Sequence, residues 1–196
     1  VRFTALFGNS TISTMSASHM ETKNLKLVPH APEHLRALLQ GPDFYAQSFG
    51  SPSAKGLRDF FASEDVSPDW LAELEAATAA DPWTHGFGLV HVASGLVIGM
   101  ASFKGPPGAD GVVEIGYGVV PDYQGQGYAT EAAQALVAFA FSSGRVRVVR
   151  AHTLPKPNAS TRVLAKSGFR HIGEIIDPVD GLIWRWEIHH EAASAF

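Results

Sequence analysis

Apolar and polar positions alternate at Leu25-Lys26-Leu27-Val28, and Pro29 closes the run, so the spacing predicts a first strand. The period then lengthens. Leu35, Leu38 and Leu39 follow a proline near a helix N1 position and an acid in the first turn, predicting a helix that Gly41-Pro42 stops. Residues 44–49 are aromatic-rich and read as a loop or short helix. Residues 56–63 and 69–79 read as helices. The second starts from a Ser67-Pro68 cap and carries Trp70, Leu71, Leu74 and Ala77 on its apolar face. Residues 81–86 read as a turn feeding a hairpin of residues 87–92 and 96–103 around Ala93-Ser94-Gly95.

After a Gly/Pro loop, residues 112–120 are β-branched, aromatic and glycine-rich, which suits a strand, and Pro121 ends it. Ala129, Ala132, Ala133, Leu136, Val137 and Ala140 then lie at helical spacing, with Gly144 as the residue that stops the helix. A strand over 146–153 follows, then a short helix opened by the cap cluster Asn158-Ala159-Ser160-Thr161 and closed by Gly168. Two strands, 170–176 and 182–188, end the pattern. Strand, helices, hairpin, strand–helix, strand–helix and hairpin is an α/β order that predicts a mixed sheet.

Composition narrows the picture. A chain of 196 residues, 45% hydrophobic and 17% charged, is expected to form one domain with a sizeable core. Residues 1–19, ending in Ser18-His19, read as a tag or disordered extension before Met20, with 20–196 as the domain. A net charge of −4 gives no basic field for nucleic acid. No apolar run approaches the roughly 18 residues of a membrane helix. With no cysteine, disulfides, thiolate metal sites and a cysteine nucleophile are excluded. His30 and His34 are four apart, but Pro32 lies between them and no third ligand is near, so no metal is expected.

The chemistry concentrates at Gln124-Gly125-Gln126-Gly127-Tyr128-Ala129, between the 112–120 strand and the long helix. Gly125 and Gly127 admit positive φ and close approach of a ligand. The helix start offers unpaired N–H groups and a positive dipole end, which together suit a phosphate or pyrophosphate. A plain strand-to-helix turn is the alternative. A P-loop is excluded because Tyr128, not lysine, follows Gly127. A dinucleotide fingerprint is disfavoured by Thr130 at the third glycine position and by Pro121.

That turn resembles the Gln/Arg-x-x-Gly-x-Gly/Ala motif of the GNAT superfamily of N-acetyltransferases. The flanking Glu114-Ile115-Gly116-Tyr117-Gly118-Val119-Val120-Pro121 and Tyr128-Ala129-Thr130-Glu131 are similar to the same family. So is the Asn158-to-Phe169 stretch, whose serine-bearing form resembles the RimJ/RimL branch. The resemblance covers about residues 24–188. It implies the GNAT fold, an α/β architecture with a mixed, mostly antiparallel central sheet splayed between its two middle strands and flanked by helices. It further implies acetyl-CoA as cosubstrate, held at Val119, Val120, Gln124, Gly125, Gln126, Gly127, Tyr128, Ala129, Thr130 and Asn158.

Acetyl transfer to an amine needs a base, a donor to the carbonyl oxygen and a partner for the leaving thiolate. Glu114 is the candidate base, with a surface or supporting carboxylate as the alternative. Val119 N–H is the oxyanion donor that the resemblance implies, and Gly116 and Gly118 make a β-bulge plausible there. Ser160 is the candidate for the thiolate end, with a helix cap as the alternative. The superfamily's commoner tyrosine would fall at Leu164. Asn158 is either a pantetheine ligand or a cap. Trp83, His85 and Phe103 are candidates for the acceptor pocket, with core and turn roles as alternatives. Tyr117, Tyr123 and Tyr128 read as structural, and Trp184 and Trp186 share one strand face.

The expected activity is direct N-acetylation of a primary amine, on a protein N-terminus or a small molecule, in a cytoplasmic enzyme. Nucleic acid and membrane are not expected partners, and apolar surface around the closing hairpin allows a homodimer without fixing the oligomeric state. The missing acidic cluster argues against a polycationic acceptor such as an aminoglycoside. A CoA-binding sensor without turnover and a nucleotide or flavin binder are the rival readings.

Overall fold

The computed structural model describes residues 14–16, 19–62 and 68–190. Its strands are β1 (Thr14–Ser16), β2 (His19–Glu21), β3 (Leu25–Pro29), β4 (Phe87–His91), β5 (Val97–Phe103), β6 (Val112–Val119), β7 (Val148–Thr153), β8 (Arg170–Asp177) and β9 (Gly181–His189). Its helices are α1 (Pro32–Gln40), α2 (Pro42–Phe49), α3 (Leu57–Phe61), α4 (Pro68–Ala76), α5 (Pro82–His85), α6 (Tyr128–Ser142) and α7 (Ala159–Lys166). The strands form one nine-stranded sheet in the order β1-β2-β3-β4-β5-β6-β7-β9-β8.

Every neighbouring pair is antiparallel except β6 and β7. That parallel pairing is short, running from Val112 opposite Val148 to Glu114 opposite Arg150. Beyond it β6 stays with β5 as far as Val119, and β7 stays with β9 as far as Thr153. The sheet therefore opens between its two middle strands just past Glu114, as the GNAT resemblance implies.

Strand alternation gives the sheet two distinct faces. Phe87, Phe103, Ile115 and Val119 are buried on one, where Phe139 of α6 packs on Phe87 and Phe103 with ring centres 5.3 and 5.8 Å away. α6 is buried over most of its surface through Ala132, Ala133, Ala135, Leu136, Val137, Ala140 and Phe141. Small alanines let it lie close to the strands. The other face lies under α1–α3, with Phe49 and Tyr45 over Gly88 and Phe60 over Gly118.

The structure corrects some expectations. Residues 82–85, read as a turn, form the single helical turn α5, capped by the Asp81 carboxylate accepting from Trp83 N–H at 3.1 Å. Residues 44–49 take the helical of their two expected forms, as part of α2. α4 ends at Ala76, before the expected residue 79. No bulge interrupts β6 at Gly116 or Gly118. Its register against β5 is continuous from Ile115 to Val119, because the flanking strand pairs every residue in turn. Residues 14–16 and 19 contribute to strands, while residues 1–13, 17 and 18, like Ser67 of the predicted cap, lie outside the described residues. The β8–β9 hairpin exposes Ile176, Val179 and Leu182, the apolar surface on which the homodimer expectation rests.

Candidate active site

The cleft opens where β6 loses its parallel neighbour, and hydrogen-bond phase decides what points into it. Lys104 N–H donates to Glu114 O, and Val120 N–H donates to Ile98 O, both at 2.9 Å. Glu114, Gly116, Gly118 and Val120 therefore direct their backbone groups toward β5. Ile115, Tyr117 and Val119 direct theirs the opposite way, toward the side that β7 leaves. Val119 N–H thus faces the cleft, while Val119 O accepts from Gln124 Nε2 at 2.8 Å. Val120, expected with the cofactor residues, is fully buried and spends its N–H on the sheet.

A 3₁₀ turn at Pro121–Tyr123 carries the chain to the glycines. Gly125 has φ 76° and Gly127 has φ 92°, and a Cβ built on either meets nothing within 4 Å. Both positions combine left-handed backbone with open space in front. Gly127 is the N-cap of α6, and its carbonyl accepts from Thr130 and Glu131 N–H at 3.0 and 3.1 Å. Tyr128 and Ala129 N–H precede these first helical bonds and sit at the positive end of the helix. The Gln126 amide reaches Asp122 O at 3.4 Å, and Tyr128 Oη contacts His91 Nε2 at 3.0 Å. Glu131 fixes the helix start from behind. Its carboxylate accepts from Thr22 Oγ1 at 2.7 Å, Asn24 N–H at 3.1 Å and Asn24 Nδ2 at 2.6 Å.

Glu114 lies at the closed end of the splay. Its Oε1 is 2.5 Å from Lys104 Nζ and 3.1 Å from His152 Nδ1. Its side chain is 21% exposed and that of His152 16%, whereas Lys104 is 67% exposed. Among the described residues His152 Nε2 is buried without a hydrogen-bond partner, as is Nε of Arg185, which pairs with His152 across β7 and β9. Neither Lys104, His152 nor Arg185 was singled out from the sequence. The 146–153 strand carries no local signal for it, and only the β6–β7 register brings His152 to Glu114.

Asn158 caps α7. Its Oδ1 accepts from Thr161 N–H at 3.0 Å, and its own N–H donates to Thr161 Oγ1 at 3.0 Å. That takes up the acceptor oxygen and leaves Nδ2 as the donor a ligand could use. Ser160 is not the cap. It sits in the first turn of α7, exposed, and its hydroxyl makes no hydrogen bond among the described residues.

A cavity of about 800 Å³ lies beside the strands that carry these groups. His85 and Phe103 line it, with Lys104, Gly116 and Gly118 among their neighbours. Trp83 does not. It packs on Phe103 and Phe139 at 4.6 and 5.1 Å between ring centres, with the Arg145 guanidinium 5.6 Å from its own ring. Trp83 is a core residue because α5 turns it toward α6. His85 Nδ1 accepts from Asp81 N–H at 3.1 Å, and burial lowers its pKa against the opposing pull of Asp81. Tyr117 is largely buried, and that burial pushes its phenol upward. Among the described residues no cluster of three or more metal-ligating side chains occurs.

The family model described as "Acetyltransferase (GNAT) domain" matches residues 24–170. The chain belongs to the GNAT acetyltransferase family. It is 28% identical over 111 residues to the protein named uncharacterized N-acetyltransferase YjdG of Bacillus subtilis (strain 168). That match covers 57% of this chain and 64% of YjdG, so the chain spans less than two thirds of that relative's length. The fold is shared with the microcin self-immunity acetyltransferase MccE in complex with acetyl-CoA and AMP. There the TM-score is 0.60 at 15% identity over 89% of this chain and 98% of that one. It is shared equally with RimL, a ribosomal alpha-N-protein acetyltransferase in complex with coenzyme A, at a TM-score of 0.57, 17% identity and coverage of 86% and 95%.

Proposed function

We propose that the protein transfers the acetyl group of acetyl-CoA directly to a primary amine while both are bound. The observation that carries this reading is the direction of Val119 N–H into the splay, one 3₁₀ turn before the open Gly125–Gly127 turn at the start of α6. Phosphate oxygens suit the turn's N–H groups, and the strand then leads from that anchor to a donor for a thioester oxygen.

In this reading Val119 N–H donates to the carbonyl oxygen as charge builds on it. The amine nitrogen forms a bond to the carbonyl carbon, the carbon–sulfur bond breaks, and Ser160 Oγ–H hydrogen-bonds the departing sulfur. The amine proton passes to the Glu114 carboxylate. Glu114 and Val119 are five positions apart, about 16 Å of extended strand at ~3.3 Å per residue. Glu114 therefore receives that proton through intervening water. His152 Nδ1–H orients the carboxylate, as a positioning residue. Tyr128, Ala129 and Asn158 Nδ2 remain the cofactor donors in this account, whereas Gln124 and Thr130 shape the turn.

The rival reading, a CoA-binding sensor without turnover, draws on the Lys104–Glu114 ion pair, which occupies the proposed base. Thermal unfolding with acetyl-CoA, CoA, NAD and ATP tests the shared cofactor claim. At ~100 times the dissociation constant, binding adds about 2.7 kcal/mol, or roughly 5–10 °C for a domain of this size. A rise with acetyl-CoA and CoA alone supports the reading. No rise with either removes it.

A further inference from the structure

The cavity of about 800 Å³ is lined by residues of α3, α4, α5, β4, β5 and β6. Its floor is β6 itself, at Gly116 and Gly118, the strand that carries both Glu114 and Val119. Its walls are mainly aromatic and aliphatic, with Phe60, Phe61, Phe87, Met100 and Phe103 supplied by α3, β4 and β5. Phe60 lies against the floor so closely that a Cβ on Gly118 would fall 1.8 Å from its ring. Only a glycine admits the tip of that ring at the strand, and Phe60 keeps 43% of its surface exposed.

The charges in this cavity are few and opposed. Among the described lining residues Glu73 is the acid and Lys104 the cation, and Lys104 already pairs with Glu114 at the rim. His85 is held neutral by burial, with Nδ1 accepting a backbone N–H, so it offers an Nε2–H donor and no charge. A polycation entering here would meet Lys104 and, among the described lining residues, the carboxylate of Glu73 alone for its several charges, Glu114 being paired with Lys104. Desolvating the unpaired ones is costly. A volume of this size suits a drug-sized molecule, not a simple alkylamine.

We infer that the acceptor is a monoamine whose primary amino group is attached to a bulky apolar, preferably aromatic, body that fills this cavity. The inference rests on the acetyl-transfer reading for its chemistry and on the cavity for its specificity. Two sources share this chemistry. One is a small arylalkylamine, and the other a peptide N-terminus beginning with a large apolar residue.

The test compares 2-phenylethylamine, ethylamine, spermidine and a short peptide with N-terminal phenylalanine. Both kcat/KM for acetylation and direct calorimetric binding to the CoA-saturated protein are measured. Burying a phenyl body predicts a preference of about tenfold to a hundredfold for 2-phenylethylamine over ethylamine. Phe60→Ala, at a half-exposed position that spares the core, should reduce that preference several-fold while leaving acetyl-CoA affinity unchanged. A stronger response to the peptide than to the free amine assigns the protein source, and the reverse assigns the small molecule. Spermidine or ethylamine used as well as 2-phenylethylamine overturns the inference. If acetyl-CoA fails to bind, the acetyl-transfer reading falls. Amine binding by calorimetry still decides the cavity's ligand, and absence of any aromatic preference there overturns that too.

Discussion

His30 is the most deeply committed titratable side chain among the described residues. It is fully buried, its Nε2 meets Tyr45 Oη at 2.8 Å, and burial, with smaller contributions from His34 and His85, lowers its pKa to about 3. A depressed histidine is neutral when folded and protonated when unfolded between those two pKa values. The unfolded chain then binds more protons, so stability falls as pH drops below about 6.5 toward 3, by up to ~1.4 kcal/mol per pH unit. Burial lowers His34 and His85 as well, which adds to the same trend. Urea unfolding at pH 7 and pH 5 should show this loss, and His30→Gln should flatten it. An equal slope in that variant would exclude His30 as its source.

The residue scale also holds the test of the proposed base. Glu114→Gln should lower kcat by ~10²-fold with acetyl-CoA binding kept. His152→Phe should lower kcat about tenfold without altering the KM for acetyl-CoA, and His152→Asn, which restores a donor near Nδ1, should recover part of it. Unchanged kcat in His152→Phe would limit that residue to packing.

At the scale of elements, the start of α6 is where local sequence and tertiary contacts meet. The glycine turn was legible because its chemistry is local: two glycines, a strand before and a helical period after. Glu131 was not assigned a role, because its partners Thr22 and Asn24 come from the β2–β3 connection more than 100 residues away. Glu131→Ala removes three bonds to a carboxylate and should cost about 1–3 kcal/mol, read as a lower urea midpoint at constant slope. Gly127→Val forces a β-branched residue to φ 92° and should weaken acetyl-CoA binding measurably in calorimetry. Unaltered affinity would move the cofactor away from this turn.

The same contrast separates the other elements. α5 escaped the periodicity because one turn is too short to show a period. Asn158 and Ser160 were a single cap cluster in sequence, and only the bonds to Thr161 distinguish cap from free hydroxyl. Trp83 stood close in sequence to His85, yet α5 sends one ring to the core and the other to the cavity. The Lys104–Glu114–His152 cluster joins β6, β7 and the residue just past β5, so no single stretch of chain announces it.

On the scale of the whole molecule, one departure from sheet regularity organises the rest. The parallel β6–β7 pairing stops at Glu114, which frees the odd-numbered N–H groups of β6 and leaves the flank of the strand open. The glycine turn lies beyond one end of that strand and the Glu114 cluster toward the other, with the aromatic cavity beside the strand. The alternating order of strands and helices already pointed to this architecture. The point of splaying followed from the family resemblance and not from any local signal.

The central claim is acetyl transfer from acetyl-CoA to an amine, and mass spectrometry of a single reaction mixture tests it most directly. Protein, acetyl-CoA and 2-phenylethylamine are incubated at neutral pH, and product amine, released CoA thiol and intact protein are measured together. N-acetylated amine equal to thiol released is expected, with the protein's own mass unchanged. Thiol release without acetylated amine, acetyl carried on the protein, or no reaction with any amine while acetyl-CoA remains bound would contradict it.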